Sequence, residues 1–233
     1  MLPTATVFGA VAAALGVTPD TSVIVYDGMG IFSAPRVWWM FKTFGHDRVA
    51  VLDGGLPAWK EHGFPTDTED VGQDAVGLSA STATAVAASM PAEDDYYPAK
   101  LNVDQVRNLT SMLSNLESAK EQVVDARGAG RFQGTEPEVR PGARSGHIPG
   151  SVNLPYTAVL NKGRMLPPAD LTKAFTAAGV DLEKPVVMSC GSGVTACVLA
   201  LAADQLEARK VSVYDGSWSE WGGRDDTPVA TGV

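Results

Sequence analysis

The chain contains two copies of one pattern, and this repeat constrains the fold more than any other feature of the sequence. Segment 1–3 aligns with 165–167, segment 23–27 with 186–190 and segment 53–54 with 215–216, so the copies lie 162 to 164 residues apart. Each copy predicts a helix, an apolar strand, a loop, a second helix and strand, an Asp-Gly turn and a short helix with a tryptophan. Because strands that alternate with helices favour parallel pairing, we predict an α/β fold of tandem domains, each a mainly parallel sheet flanked by helices.

The domain boundaries follow from the repeat and from a change in composition. Residues 71–95 are rich in Ala, Ser, Thr and Gly, which predicts a linker. The first domain is then 1–70 and the second is 96–233. Counterparts of 125–164 would precede Met1 in the first copy, so we expect the first domain to lack its opening portion.

Hydrophobic periodicity places the main elements. Strands are expected at 185–188 and 122–125, and helices at 194–206 and 103–116. The small and apolar stretch 5–17 has no basic residues before it, so it predicts an amphipathic helix rather than a secretory leader.

Composition excludes several kinds of partner. The chain has 233 residues and a formal net charge of −9, which argues against nucleic acid and anionic membranes as partners. No stretch has the roughly 20 apolar residues of a membrane span. The sequence holds 2 cysteines and no Cys/His cluster, so we expect no disulfide framework, no metal, no cofactor and a reducing compartment.

The candidate nucleophile is Cys190, at the end of the strand predicted at 185–188. Two glycines follow within three positions, and a helix begins soon after. Such a loop directs backbone N–H groups inward, and the helix adds the positive end of its dipole, so the enclosed space favours an anion such as a thiolate. Cys190 is therefore expected to be reactive near neutral pH, whereas Cys197, inside the helix, is expected to be an inert packing residue.

A cysteine phosphatase also holds a cysteine in a loop that binds anions. That chemistry requires an arginine that closes the loop on the phosphoryl oxygens. Here Ala196 stands six residues after Cys190, and the next arginine is Arg209. The sequence therefore disfavours a phosphatase.

Several motifs together resemble the two-domain rhodanese superfamily, and within it the 3-mercaptopyruvate sulfurtransferases. The resemblance covers nearly the whole chain. The motifs are Cys190-Gly191-Ser192-Gly193-Val194-Thr195, Asp125-Ala126-Arg127, Gly130-Arg131-Phe132, Gly134 to Glu138, Ser145 to Gly150, Tyr214 to Trp221 and, in the first copy, Phe32 to Phe41.

The resemblance implies a sulfurtransferase in which Cys190 carries sulfur as a persulfide from a small-molecule donor to a thiol or cyanide. The loop from Gly191 to Thr195 would hold the persulfide, and Gly191 and Ser192 match the neutral loop of the mercaptopyruvate enzymes. Thiosulfate is a second candidate donor. By motif position, Arg131 and Arg140 would bind the substrate carboxylate.

The first copy has Asp27 where the second has Cys190, so only the second can use sulfur chemistry. The acidic residue and histidine that the family brings toward the loop serine from its early first domain cannot be mapped here. An alternative is therefore a weak or silent rhodanese-like module that carries sulfur or binds partners. The family suggests a thioredoxin-like thiol acceptor and a cytoplasmic or mitochondrial location.

Other polar residues are expected to be structural. Arg127 and Arg144 are weaker substrate-binding candidates, and Arg36 is expected to pack the domains together. The His147-Ile148-Pro149-Gly150 segment predicts a turn, and Trp218 and Trp221 are expected in the core. His46 and His62 are expected at the surface.

Overall fold

The computed structural model describes residues 2–67 and 96–232, so the predicted linker 71–95 lies outside the described residues. The predicted α/β class is confirmed. The first half comprises α1 (Ala5–Ala14), β1 (Val23–Val25), α2 (Ala34–Thr43), β2 (Val49–Val51) and α3 (Gly55–Glu61). The second half comprises β3 (Val106–Arg107), α4 (Leu109–Ser118), β4 (Gln122–Asp125), α5 (Ala129–Gln133), β5 (Val152–Asn153), β6 (Leu160–Asn161), β7 (Arg164–Met165), α6 (Pro168–Ala177), β8 (Val186–Ser189), α7 (Ala196–Asp204), β9 (Val211–Tyr214) and α8 (Ser217–Trp221).

The second half is built on a five-stranded sheet in the order β3-β9-β8-β4-β5, and every pair in it is parallel. Strand β8 lies at the centre, with Val187 opposite Val123 and Met188 opposite both Val124 and Val213. A parallel strand covered on both faces is apolar along its length, as β8 is. Its carboxyl end, where ligands of such sheets bind, leads directly into Cys190.

The described part of the first half has a two-stranded parallel sheet, in which Val23 pairs with Val49 and Val25 with Val51. Helix α2 packs on α7 of the second half, so the two halves meet through helices. Trp38 and Trp39 of α2 share one buried core with Leu199 of α7. This helix pair fixes the first half against the element that follows the nucleophile.

Two local predictions were wrong. The helix expected from 103 begins only at Leu109, because Asn108 caps it through Ser111 N (2.9 Å), while Val106 and Arg107 pair with β9. His46 is buried at 1% exposure rather than at the surface, since the chain after α2 turns back over an aromatic cluster. His46 Nδ1 lies 3.1 Å from the Tyr97 hydroxyl.

The other local predictions are confirmed in their main features. Trp218 and Trp221 are fully buried, whereas Trp59, at the corresponding place in the first copy, is 36% exposed. His62 is exposed, as expected. Among the described residues, no helix has both the length and the apolar character to span a bilayer.

Helix α7 supplies a test of the core. Leu199 is fully buried, so Leu199→Ala should lower the free energy of unfolding by about 2–5 kcal/mol through lost contacts and a residual cavity. Leu113→Ala on α4 is the matched control, because Leu113 is 37% exposed and the change should cost about 1 kcal/mol or less. Urea unfolding of both variants measures the difference, and equal losses would contradict this account of the core.

Candidate active site

The loop 190–195 joins β8 to α7 and curls around the sulfur of Cys190. Gly193 adopts a left-handed conformation (φ 76°), and its N–H donates a hydrogen bond to Cys190 Sγ at 3.1 Å. The amino end of α7 lies directly behind the loop. A backbone donor and a helix amino terminus both favour negative charge on this sulfur.

Helix α8 holds the loop from outside. Cys190 N donates to the Ser217 hydroxyl at 3.2 Å, and Cys190 O accepts the N–H of Trp218 at 2.9 Å. Gly191 O accepts both the N–H and the hydroxyl of Ser219, at 2.8 and 2.6 Å. The backbone on both sides of the nucleophile is therefore fixed by a neighbouring element.

Cys190 is 1% exposed, yet it lines a cavity of about 730 Å³ at the carboxyl end of the sheet. The cavity brings together most of the predicted site, and Gly193 lies just behind it with its N–H on the sulfur. Side chains that sequence reasoning had not assigned to the site also contribute, among them Phe32 and Tyr156. The predicted residues that line the cavity are Cys190, Gly191, Ser192, Val194, Thr195, Arg131 and Arg140.

The two predicted substrate-binding arginines stand in different environments. Arg131, on α5, lies close to the loop: its Nη2 is 3.2 Å from the place that a Cβ on Gly191 would occupy. It forms an ion pair with Glu138, and its buried Nε has no hydrogen-bond partner among the described residues. Arg140 is exposed at the rim of the cavity. Guanidinium groups near the candidate nucleophile suit an anionic substrate group.

Glu138 is a site residue that sequence reasoning missed. Its carboxylate is 3% exposed and bridges Arg131 to Arg127, whose Nη1 lies 2.6 Å away. Arg127 also binds both carboxylate oxygens of Asp125 and stacks on Trp218. The only sequence signal for Glu138 is its place in the 134–138 motif.

The weaker candidates make hydrogen bonds within the protein. Each guanidinium nitrogen of Arg127 donates to Asp125, Glu138 or Gly146 O, and Arg144 donates to Thr227 and to the carbonyl of Trp221. His147 Nδ1 lies 2.8 Å from the Phe132 carbonyl, and its ring stacks on Phe132 at 3.9 Å. Each of these side chains is therefore held by contacts within the protein.

Cys197 is the second thiol, and its surroundings make it inert. It is fully buried on α7, and this burial raises its pKa far above the ordinary value of a thiol. Its sulfur donates to Gly193 O at 3.2 Å. The two cysteines therefore differ in their surroundings, although they are only seven residues apart: Cys190 lines the cavity and Cys197 is enclosed in the core.

The equivalent loop of the first half encloses its own carboxylate. Asp27 accepts the N–H groups of Met29, Phe32, Ser33 and Ala34 at 2.9–3.0 Å. Burial acts to raise the pKa of Asp27, but these backbone hydrogen bonds outweigh it and hold the pKa below its ordinary value. Each copy thus uses the loop to bind an anion, and only the second offers a nucleophile.

Gly193 provides a test of the loop geometry. A Cβ there would lie 2.8 Å from Asp215 O, in addition to the strain of its positive φ. Gly142 has a similar φ of 82° but open space around it. Both Ala variants should lose about 1–2 kcal/mol of the free energy of unfolding, because alanine is strained at a positive φ. Gly193→Ala should lose about 1 kcal/mol more, because its Cβ would lie too close to Asp215 O.

Urea unfolding and the rate of Cys190 alkylation by iodoacetamide measure the two effects. Gly193→Ala should also slow alkylation, because the donor on the sulfur shifts. If both variants lose the same stability and react at the wild-type rate, the close packing assigned to Gly193 is wrong.

Comparison with known proteins agrees with this geometry. The family profile of the rhodanese-like domain matches residues 2–62 and 108–224. The chain is 45% identical over 224 residues to the 3-mercaptopyruvate sulfurtransferase of Rattus norvegicus, and the match covers 95% of this chain and 69% of the rat protein. It is 43% identical over 234 residues to the mitochondrial thiosulfate/3-mercaptopyruvate sulfurtransferase 1 of Arabidopsis thaliana, covering 98% of this chain and 61% of that protein.

Solved structures share the fold. The Tum1 protein of Saccharomyces cerevisiae superposes with a TM-score of 0.82 at 31% identity, over 99% of this chain and 76% of Tum1. SseA of Escherichia coli, a 3-mercaptopyruvate sulfotransferase, gives a TM-score of 0.74 at 38% identity, over 94% of this chain and 75% of SseA. The chain therefore belongs to the rhodanese family of sulfurtransferases.

Proposed function

We propose that this chain transfers sulfur from 3-mercaptopyruvate, through a persulfide on Cys190, to an acceptor thiol. The observation that carries the proposal is the position of Cys190 Sγ. It accepts the Gly193 N–H at 3.1 Å and lines the cavity that also holds Arg131 and Arg140. A nucleophilic sulfur and two cations in one cavity suit a small donor that bears both a sulfur and a carboxylate.

In the first half-reaction, the Cys190 thiolate attacks the sulfur of 3-mercaptopyruvate. A sulfur–sulfur bond forms as the carbon–sulfur bond breaks, and the electron pair of the broken bond stays on carbon as the enolate of pyruvate. The enolate takes a proton from the new persulfide S–H or from solvent, and pyruvate leaves. The sulfur is oxidised and the donor carbon is reduced, so no external oxidant is needed.

In the second half-reaction, an acceptor thiolate attacks the outer sulfur of the persulfide. The sulfur–sulfur bond breaks, Cys190 returns to the thiolate, and the acceptor leaves as a persulfide. Cyanide would accept the same sulfur and leave as thiocyanate. A thioredoxin-like protein is the acceptor that we assign, and a cytoplasmic or mitochondrial location fits such a thiol partner.

The residues of the loop favour mercaptopyruvate over thiosulfate as the donor. Gly191 and Ser192 place no charge beside the sulfur, whereas a dianion would favour basic side chains there. Ser192 lines the cavity, so its hydroxyl can bind the donor or pass a proton. Thiosulfate remains the secondary donor, and one curated relative, from Gallus gallus, is named thiosulfate sulfurtransferase.

We assign the catalytic domain to residues 96–233 and a non-catalytic rhodanese-like domain to residues 1–70. The nucleophile, its loop and both arginines lie in the former segment. The first half contributes Phe32 to the cavity wall. Its own loop is closed by Asp27, which leaves it without a sulfur nucleophile.

Intact-mass measurement tests the persulfide. Incubation with mercaptopyruvate should add about 32 Da, one sulfur atom, to the wild-type chain and nothing to Cys190→Ser. Cys197→Ser should still gain the sulfur. No gain in the wild type, or a gain that persists in Cys190→Ser, would overturn the proposal and favour the silent module.

Steady-state kinetics test the arginines. Arg131→Gln and Arg140→Gln should each lower kcat/KM for mercaptopyruvate by about 10-fold to 100-fold, because each removes a charged donor to the substrate carboxylate. Arg48→Gln is the control, since the Arg48 side chain donates to the exposed Ser22 hydroxyl in the first half and does not line the cavity. Unchanged kcat/KM in both site variants would exclude this pair from substrate binding.

A further inference from the structure

Arg36 reaches from the first half into the loop that carries the nucleophile. It lies on α2, and its Nη1 donates to Gly193 O at 3.2 Å. Its Nη2 forms an ion pair with Asp215, in the turn after β9. One guanidinium therefore bonds to the loop and to a neighbouring turn of the second half at once.

The contact on Gly193 O acts on the peptide unit that joins Gly193 to Val194. The carbonyl of Gly193 accepts from Arg36 and from Cys197 Sγ, both at 3.2 Å. Since C=O and N–H point in opposite directions across a trans peptide, the N–H of Val194 points away from Arg36. Val194 lines the cavity of Cys190, and the preceding N–H, of Gly193, is already on the sulfur.

Arg36 is itself held firmly. Its side chain is 12% exposed and that of Asp215 is 15% exposed. The guanidinium lies 4.7 Å from the centre of the Trp39 ring, and Asp215 also accepts the N–H of Leu2 at 2.8 Å. Burial acts to raise the pKa of Asp215, but its hydrogen bond and ion pair with Arg36 lower it, so the carboxylate stays charged at neutral pH.

We propose that Arg36 is a positioning residue for sulfur transfer: it fixes the Gly193-Val194 peptide so that two successive N–H groups face the thiolate and the persulfide of Cys190. The part of this proposal that concerns the persulfide rests on the proposed function. The effect of Arg36 on the thiolate of Cys190 does not depend on that function. The half without a nucleophile thus orients the donors that stabilise the nucleophile of the other half.

An effect of the guanidinium charge alone is a poor explanation. Arg36 and Asp215 are paired, so their charges largely cancel at the distance of the sulfur. The orientation of the loop peptides is what the contact changes, and a backbone N–H aimed at an anion stabilises it directly. Among the described residues, the other charged or titratable groups around Cys190 are Arg127, Arg131, Glu138, Arg140, Tyr156 and Cys197. Of these, Cys197 forms a hydrogen bond with Arg36.

The test is the pH profile of Cys190 alkylation by iodoacetamide, with the adduct located by intact mass and by its absence in Cys190→Ser. Arg36→Met keeps a long apolar side chain but removes every donor. Arg36→Lys keeps the charge, but one ammonium cannot reproduce the fork that joins Gly193 O to Asp215. Arg48→Met is the control, because the Arg48 side chain donates to the exposed Ser22 hydroxyl and does not line the cavity of Cys190.

The midpoint of the profile should rise by about half to one pH unit in Arg36→Met and by less in Arg36→Lys, with no change in Arg48→Met. A packing role alone would lower the melting temperature without moving this midpoint. The proposal fails if folded Arg36→Met follows the wild-type profile. If Arg36→Met does not fold, Arg36→Lys decides: a raised midpoint supports the proposal and a wild-type midpoint overturns it.

Alkylation requires no sulfur donor, so the test stays valid if mercaptopyruvate leaves no sulfur on Cys190. Adding mercaptopyruvate to the same variants then distinguishes the proposed sulfur transfer from the proposed role of Arg36. A wild type that gains no sulfur but shows the Arg36 shift would refute the proposed function alone. A wild type that gains sulfur, with profiles that do not differ, would refute the role of Arg36 alone.

Discussion

A sulfur anion at the buried end of β8 must be stabilised by hydrogen-bond donors of the protein, because water has little access to it. Cys190 is 1% exposed, and the N–H of Gly193 is the donor on its sulfur. This requirement explains the rest of the site. The loop must curl, which needs glycine at position 193, and its outer side must be held, which helix α8 does through its hydrogen bonds to Cys190 and Gly191.

The two copies satisfy this constraint in different ways. In the first copy the anion is the carboxylate of Asp27, which is part of the chain and fills the loop. In the second copy the corresponding residue is Cys190, whose sulfur accepts the Gly193 N–H, and a cavity stands in front of it. A loop that binds its own side chain cannot admit a ligand, so the first copy keeps the fold of the loop without its chemistry. What it supplies to the site is Phe32 in the cavity wall and Arg36 behind the loop.

Binding an anionic substrate in a chain of net charge −9 requires cations that are kept in place locally. Buried guanidinium groups need counter-charges, since an unpaired one would be costly to desolvate. The carboxylate of Glu138 is a counter-charge for Arg127, and its ion pair with Arg131 holds Arg131 beside the loop. Arg131 lines the cavity with its side chain 25% exposed, so its guanidinium stays accessible to a ligand.

Residue types and their spacing determined the α/β class, the repeat, the position of Cys190 at a strand end and the identity of the arginine candidates. These are properties of local pattern: apolar strands, glycines in a turn and a helix that follows. The same reasoning misplaced His46 and the start of α4, because an aromatic cluster and a strand pairing with β9 decided them. These depend on segments far apart in the chain.

Only the tertiary structure decided which polar groups act together. Glu138 is seven residues from Arg131, and nothing in that spacing predicts a carboxylate that bridges two arginines. Arg36 is more than 150 residues from Gly193, and the packing of α2 on α7 is what brings it to that carbonyl. The sequence by itself determined the candidate nucleophile and the loop, because both are local. The donors and counter-charges around them come from distant segments, so only folding could select them.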